Sequence, residues 1–409
     1  MKYILVIGDG MADDPVIELG GKTPLQFADI ATMDYLAEHG ELGSVFNVPE
    51  GLPAGSDTAI LSIMGCDPNF CYTGRAPLEA AATGIKLEPG DAAYRCNMVA
   101  YEDSDKPFFE KKILSHNAGS IEGQDSYDII TWLMSEPEFS ALSEKAHLIV
   151  NRAYSFRHIA VQKADIKGIR LIPPHDHLGE VIGPLMPSGC ENAKVLLELM
   201  ELAHKKLDRH PINMRRRAEG KLPANGIWFW AEGTAVALPN FIENYGKSGG
   251  VISAVPLCHG IAALAGLKMI SVEGATGELE TNYEGKARAA LEALKSDDFV
   301  AIHVEAPDEC THNGDLKGKI QAIENIDKRV LAPLVGMLRE VGYDYRMLIL
   351  SDHKTLTSTR GHDGGAVPYI LYDSRKENGS KLPYSEENGL RGRTVSAGVA
   401  LMSMLFEVK

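Results

Sequence analysis

The chain has 409 residues, enough for two or three domains, and its 44% hydrophobic and 24% charged content is that of a globular protein. A formal net charge of −15 argues against a nucleic-acid partner, so an anionic ligand needs a local cluster of Arg and Lys. Six scattered cysteines without a CxxC pair, an N-terminus that enters a strand at once, and no apolar run of membrane-spanning length set the expectation of a reduced, cytoplasmic protein with no membrane span; oligomeric state is left open.

The apolar run Lys2–Ile7 is bounded by Gly8-Asp9-Gly10 and reads as a central strand whose end presents Asp9. Residues 32–39 carry Met33, Leu36 and Ala37 at helical spacing, and Gly40 stops the helix. Pro53 and Gly55 then lead into an apolar segment with helical spacing, which puts Ser56 at a helix N-terminus. That position suits an anion, and it equally suits a serine acting as N-cap, so the stretch alone leaves both roles open. Arg75 follows a glycine turn and is a candidate phosphate clamp or a surface ion-pair partner; Tyr94–Asn97 forms another polar island. Residues 101–125 are loop-like. Lys145–Ile159 contains short strand-like runs, Pro173–His177 is a loop in which His175 and His177 are weak metal candidates, and Glu191–Asp208 is an amphipathic helix. The stretch around Arg215, Arg216 and Arg217 is the most basic spot in the chain.

From Ala224 onward, Gly226–Ala231, Gly250–Val255, Leu267–Val272 and Phe299–Val304 read as buried strands, with helical segments such as Tyr283–Leu294 between them. This is the βαβ rhythm of a doubly wound parallel sheet, which the N-terminal strand also needs. The expected organisation is a discontinuous α/β core from 1–105 and 224–409, with a smaller α+β cap inserted at 106–223.

The stretch from Asp308 to His362 carries the densest chemistry. Asp308 and His312 are four apart and share one face of a helical turn. Asp352 and His353 follow the apolar run Arg346–Ser351, a buried strand, and ligands bind beyond the C-terminal ends of such strands. His362 lies beyond a glycine. Mixed carboxylate and imidazole donors suit divalent ions. With Asp9 and Ser56 these residues suffice for two metal sites sharing a serine, an arrangement that clamps the oxygens of a transferring phosphoryl group and activates the hydroxyl as nucleophile. The nearest approach to a P-loop, Gly246-Lys247-Ser248, has Phe241 where a glycine is required, and there is no GxGxxG after the first strand and no GxSxG elbow.

These residues in this order resemble the alkaline phosphatase superfamily. Over nearly its whole length the chain resembles the archaeal-type cofactor-independent (2,3-bisphosphoglycerate-independent) phosphoglycerate mutases, at Gly8–Asp13, Gly21–Pro24, Gly55–Asp57, Tyr72–Arg75, Gly274–Gly277, Glu305–Glu309, Asp352-His353 and Val367-Pro368. The resemblance implies an alkaline-phosphatase-like fold and an isomerase that interconverts 3- and 2-phosphoglycerate through a phosphoserine on Ser56. It implies one metal held by Asp9, Ser56, Asp352 and His353 and another by Asp308, His312 and His362, with Mn favoured over Zn or Mg. Arg157 with Arg216 or Arg217 would bind the phosphate and carboxylate of a small phosphorylated hydroxy acid, and Arg75, His116 and Lys286 complete the expected substrate contacts. The chain departs from the family pattern at Cys310-Thr311, at Lys354-Thr355-Leu356, and at Ala118-Gly119-Ser120, where the family carries Ala-Gly-His; His116 is the nearby replacement. A sister group proposed to act as homoserine kinases resembles the chain equally around His303–Asp308 and Thr281–Lys286. A kinase-like phosphotransferase, a phosphomonoester hydrolase and a non-catalytic metal protein are the competing classes.

Overall fold

In the computed structural model, which describes residues 1–376 and 379–407, the chain divides into two units, Met1–Tyr72 with Ala237–Lys409, and Thr73–Val236. The first holds an eight-stranded sheet in the order Arg393–Val395, Glu41–Val45, Val367–Asp373, Tyr345–Leu350, Lys2–Gly8, Phe299–Val304, Gly249–Ile252, Lys268–Ile270. Lys2–Gly8 pairs in parallel with both Phe299–Val304 and Tyr345–Leu350, while Val367–Asp373 runs antiparallel to its two neighbours. The α/β class expected from the strand–helix rhythm is the one observed, with this antiparallel strand making the sheet mixed.

The central strands read as unbroken apolar runs because both faces are covered. Ile4, Val6, Ile302, Met347 and Ile349 share one buried cluster with Leu36, Ala287, Leu294, Ile323 and Leu334 from the helices Ala31–His39, Tyr283–Ser296, Leu316–Asn325 and Ala332–Glu340. Each such side chain contributes about 1.5–3 kcal/mol relative to exposure. The register sets Gly8 beside Val304 and Ile7 beside Leu350, so three adjacent strands end together. Immediately beyond these ends stand Asp9, the helix Ala306–His312, and Ser351-Asp352-His353.

The Thr73–Val236 unit is built on an antiparallel sheet in which the long strand Asp91–Tyr101 pairs with Ile113–Ser115, Arg157–Lys163 and Gly226–Thr234, and Leu148–Asn151 adds to Arg157–Lys163. Leu196, Leu199, Met200, Ala203 and Leu207 of the helix Glu191–Leu207 share its core with Tyr94, Trp228 and Phe229. Two expectations are corrected by this sheet. The inserted unit is wider than 106–223 on both sides, because Asp91–Tyr101 and Gly226–Thr234 are partners of one another. For the same reason Gly226–Ala231 belongs to this antiparallel sheet and not to the doubly wound one. Among the described residues no helix is long and apolar enough to cross a membrane.

Candidate metal and phosphoryl-transfer site

Ser56 opens the helix Ser56–Ile63, but its side chain makes no cap. Its Oγ donates to Asp9 Oδ2 at 3.1 Å and lies 3.2 Å from His353 Nε2. His353 Nε2 is also 3.5 Å from Asp9 Oδ1 and 3.3 Å from Asp352 Oδ2. The other oxygen of Asp352 accepts from the backbone amides of Gly10 and His353, at 3.1 and 2.9 Å. Gly10 is required at its position: its φ is +59°, and a Cβ there would sit 2.3 Å from Thr355 Oγ1. Asn47 Nδ2 fixes the same turn by donating to the carbonyls of Ser351 and Asp352 at 3.2 and 2.8 Å.

The neighbouring group is as tight. Asp308 and His312 meet across one turn of the helix Ala306–His312, with Oδ2 to Nε2 at 3.2 Å. His362 Nε2 lies 2.9 Å from His312 Nε2 and 3.5 Å from Asp308 Oδ1, carried there by the hairpin of Lys354–Leu356 and Gly361–Asp363. Thr355 Oγ1 donates to Asp308 Oδ1 at 2.6 Å. His312 Nδ1 is 2.8 Å from the Arg360 carbonyl, which puts the ring proton on Nδ1 and leaves Nε2 as a donor atom for a ligand. The rings of His353 and His362 are 4.4 Å apart, and Asp9–Asp352–His353 and Asp308–His353–His362 each have ligand atoms gathered within 4.8 Å.

The donor set fits divalent cations. Asp9 Oδ1 and Asp352 Oδ2 are buried and have no hydrogen-bond partner, an expensive state for carboxylate oxygens unless a cation lies between them. Burial, and then the charges of Asp352, Asp308 and Glu305, push the Asp9 carboxyl well above its ordinary range. Asp308 goes the other way: burial raises it, but hydrogen bonds from His312 and His362 outweigh that and hold it down. His312 rises to about 9, chiefly through its hydrogen bond to Asp308. An anionic pocket that attracts protons onto its own ligands also attracts metal ions.

All seven residues expected to hold metal therefore converge within one unit, with the Ser56 hydroxyl against Asp9 and His353. Sequence reasoning missed the layer behind them: Asn47, Thr355 and His303. His303 is a lone histidine in an apolar strand, and its Nε2 lies 2.9 Å from Asp9 Oδ2. Lys286 is corrected. It is 1% exposed, donates to the His303 carbonyl at 2.8 Å, and is brought down to about 8 by burial, so it is part of this support and closed to substrate.

In the second unit three guanidiniums surround one carboxylate. Arg95 grips Glu79, Arg75 Nε lies 3.2 Å from Glu79 Oε1, and Arg157 Nη1 lies 4.0 Å from it. Burial opposes the charge on Glu79, but the bond from Arg95 and the charges of Arg95, Arg157 and Arg75 bring it to about 2. Arg95 stacks over Trp230 at 4.5 Å, and Asn97 links Trp230 to the His116 carbonyl. His116 faces His175 with ring centres 6.0 Å apart. The Arg75 and Arg157 side chains keep 39% and 36% of their surface open. Arg95 and Glu79 were not read as site residues, and His175 only as a weak metal candidate; for Arg95, a charged side chain inside a strand as apolar as Asp91–Tyr101 was the available signal. His175 and His177 join no metal-like group among the described residues.

Arg216 and Arg217 are corrected as well. Arg216 is buried and donates to the carbonyls of Leu222 and Ala118 at 2.9 and 2.8 Å, the latter at the head of the left-handed run Ala118–Ser120. Arg217 is held by Asp208 at 2.6 Å and Asp103 at 3.1 Å. Their charges are consumed in holding the unit together.

Against known proteins, a family model described as 2,3-bisphosphoglycerate-independent phosphoglycerate mutase matches residues 37–213. A probable mutase of that description from Geobacter sulfurreducens is 42% identical over 409 residues, covering 100% of both chains. The chain belongs to the 2,3-bisphosphoglycerate-independent phosphoglycerate mutase family. A family member from Methanosarcina barkeri is 42% identical over 96% of each chain. Among solved structures, a protein from Pyrococcus horikoshii superposes with a TM-score of 0.79 at 30% identity, covering 99% of this chain and 97% of that one. A cofactor-independent phosphoglycerate mutase from Thermoplasma acidophilum superposes at 0.64 with 25% identity over 100% of both chains. The similarity to the Geobacter relative runs through both units, whereas the family model covers residues 37–213 only.

Proposed function

We propose that this mutase-family chain interconverts 3-phosphoglycerate and 2-phosphoglycerate through a phosphoserine on Ser56, using two divalent ions, with Mn favoured over Zn or Mg. The observation that carries this is the Ser56 hydroxyl held between Asp9 and His353, against two buried carboxylate oxygens with no partner of their own. Asp9, Ser56, Asp352 and His353 would hold one ion, and Asp308, His312 and His362 the other. Such ions supply a lowered hydroxyl pKa and neutralise charge on phosphoryl oxygens.

The residues of the chain do the rest. Ser56 gives up its hydroxyl proton as Oγ attacks phosphorus, the bond from phosphorus to O3 of glycerate breaks, and O3 takes a proton. Glycerate O2 then attacks the phosphoserine, loses its proton, and Ser56 is regenerated. Arg75 and Arg157 bind the substrate's anionic groups, with Arg95 and Glu79 setting their position. His116 exchanges the proton with the glycerate hydroxyls; burial, then His175 and Arg157, lower its pKa, favouring the neutral imidazole that accepts a proton near neutral pH. Six free thiols fit a reducing compartment, the cytoplasm.

The test is an assay of the purified protein with 3-phosphoglycerate and Mn and no bisphosphoglycerate, and separately with homoserine and a phosphoryl donor. Formation of 2-phosphoglycerate is expected. Phosphorylated homoserine with no 2-phosphoglycerate would replace the mutase with the kinase-like alternative, and release of free phosphate alone would make the chain a hydrolase.

A further inference from the structure

His303 sits on the strand Phe299–Val304 directly beneath the metal ligands and is 2% exposed. Both of its ring nitrogens are engaged: Nε2 with Asp9 Oδ2 at 2.9 Å and Nδ1 with Ser253 Oγ at 3.1 Å. Ser253 Oγ already accepts from the Val255 amide at 3.0 Å. Nε2 faces a carboxylate oxygen, which only accepts when ionised as a metal ligand is, so Nε2 carries the ring proton and Nδ1 accepts from the Ser253 hydroxyl. The chain of donors runs one way, from the Val255 amide through Ser253 and His303 to Asp9. Lys286, on the helix Tyr283–Ser296, anchors the His303 backbone by donating to its carbonyl.

The Asp9 oxygen at the end of this chain is the one that also accepts from Ser56. The other, Oδ1, has no hydrogen-bond partner and lies 3.5 Å from His353 Nε2. From this geometry we infer that His303 is a positioning residue: by donating to Oδ2 it fixes the rotation of the Asp9 carboxylate and aims Oδ1 at the ion shared with Asp352 and His353. Without that donor the carboxylate is free to turn, and Oδ1 is no longer held toward its co-ligands. His303 also gathers with Asp9 and Glu305 in a metal-like group, but its Nε2 is committed to Asp9, and the buried Lys286 amine beside it disfavours a further cation. The role is support of a ligand, the outer-layer pattern common to metal sites.

The inference rests on the two-ion reading above, and the experiment separates the two. Mn(II) is titrated into metal-stripped protein, with free Mn read by electron paramagnetic resonance and folding checked by circular dichroism. Wild type is expected to bind two ions. His303→Leu, similar in bulk with no donor, is expected to weaken one of the two affinities about 10–100-fold and spare the other. His303→Gln, which can present an N–H near the place of Nε2, is expected to recover most of the loss. If His303→Leu folds and binds both ions as wild type does, the positioning role is overturned while the metal reading stands. Equal weakening in the Leu and Gln variants also overturns it, since the donor would not matter. If wild type binds no Mn, the metal reading falls and this inference with it. If His303→Leu does not fold, His303→Asn carries the test: its amide is polar but too short to donate to Asp9 Oδ2, so an unchanged Mn affinity overturns the inference, whereas a fall in the same single affinity supports it.

Discussion

Ser56 Oγ donates a hydrogen bond to Asp9 Oδ2 at 3.1 Å, across 47 residues of chain and from a helix N-terminus to a strand end. Gly55 takes the N-cap position, which leaves the Ser56 side chain free of a capping role. In this chain its oxygen faces a carboxylate and an imidazole, the setting the proposed nucleophile needs.

Ser56→Ala is expected to lower mutase activity by at least about a thousandfold, because it removes the hydroxyl held between Asp9 and His353. The fold should survive, since Ser56 is only half-buried and caps nothing. Steady-state assay together with intact-mass detection of phosphoprotein checks this. A variant that keeps a tenth of the activity would rule out the covalent route.

Stripping the protein with a chelator is expected to silence it, and Mn to restore it. The same ions should raise the melting temperature, since metal at about 100 times its Kd adds roughly 2.7 kcal/mol per site. The buried oxygens of Asp9 and Asp352 are the physical source of that coupling. Activity and melting curves indifferent to chelation would exclude the two-ion site.

Thr355→Val removes the donor that sits 2.6 Å from Asp308 Oδ1 and keeps the shape of the side chain. Metal affinity at the Asp308–His312–His362 group should fall about tenfold or more, with the substrate KM little changed at saturating metal. Metal titration of the variant, followed by kinetics at high Mn, separates the two effects.

Glu79 gives an acid-stability prediction. Its folded pKa is about 2, below the ordinary 4.5, so its ion pairs contribute fully above about 4.5 and are lost as pH falls toward 2. At 1.36 kcal/mol per pKa unit the contribution is on the order of 3 kcal/mol. Wild type should therefore exceed Glu79→Gln in urea stability at pH 7, and the gap should close between pH 4.5 and pH 2.5. A gap that stays constant with pH would mean that Glu79 is not the ionised partner of the three arginines.

Much of the metal site was readable in advance because its signals are local. Asp9 and Asp352-His353 stand at the ends of apolar runs, and Asp308 and His312 are spaced for one helical turn. Lys286, Arg216 and Arg217 were misread for a common reason. A basic side chain announces its charge in the sequence but not the carbonyl or carboxylate that claims it. The edges of the inserted unit failed differently: Gly226–Ala231 reads as a strand of the larger sheet and Tyr94–Asn97 as a polar island, and only the pairing of Asp91–Tyr101 with Gly226–Thr234 assigns both to the smaller sheet.

By itself the sequence determined the α/β class, the central strands, and the identity of the seven residues that gather at the candidate metal site, because hydrophobic period and residue chemistry are properties of short stretches. Only the tertiary structure decided which oxygen of Asp9 faces the site, that His303 stands behind it, and that Arg95 and Glu79 set Arg75 and Arg157. Those depend on strand register and side-chain rotation between segments far apart in the chain, and register is settled by packing the whole core at once.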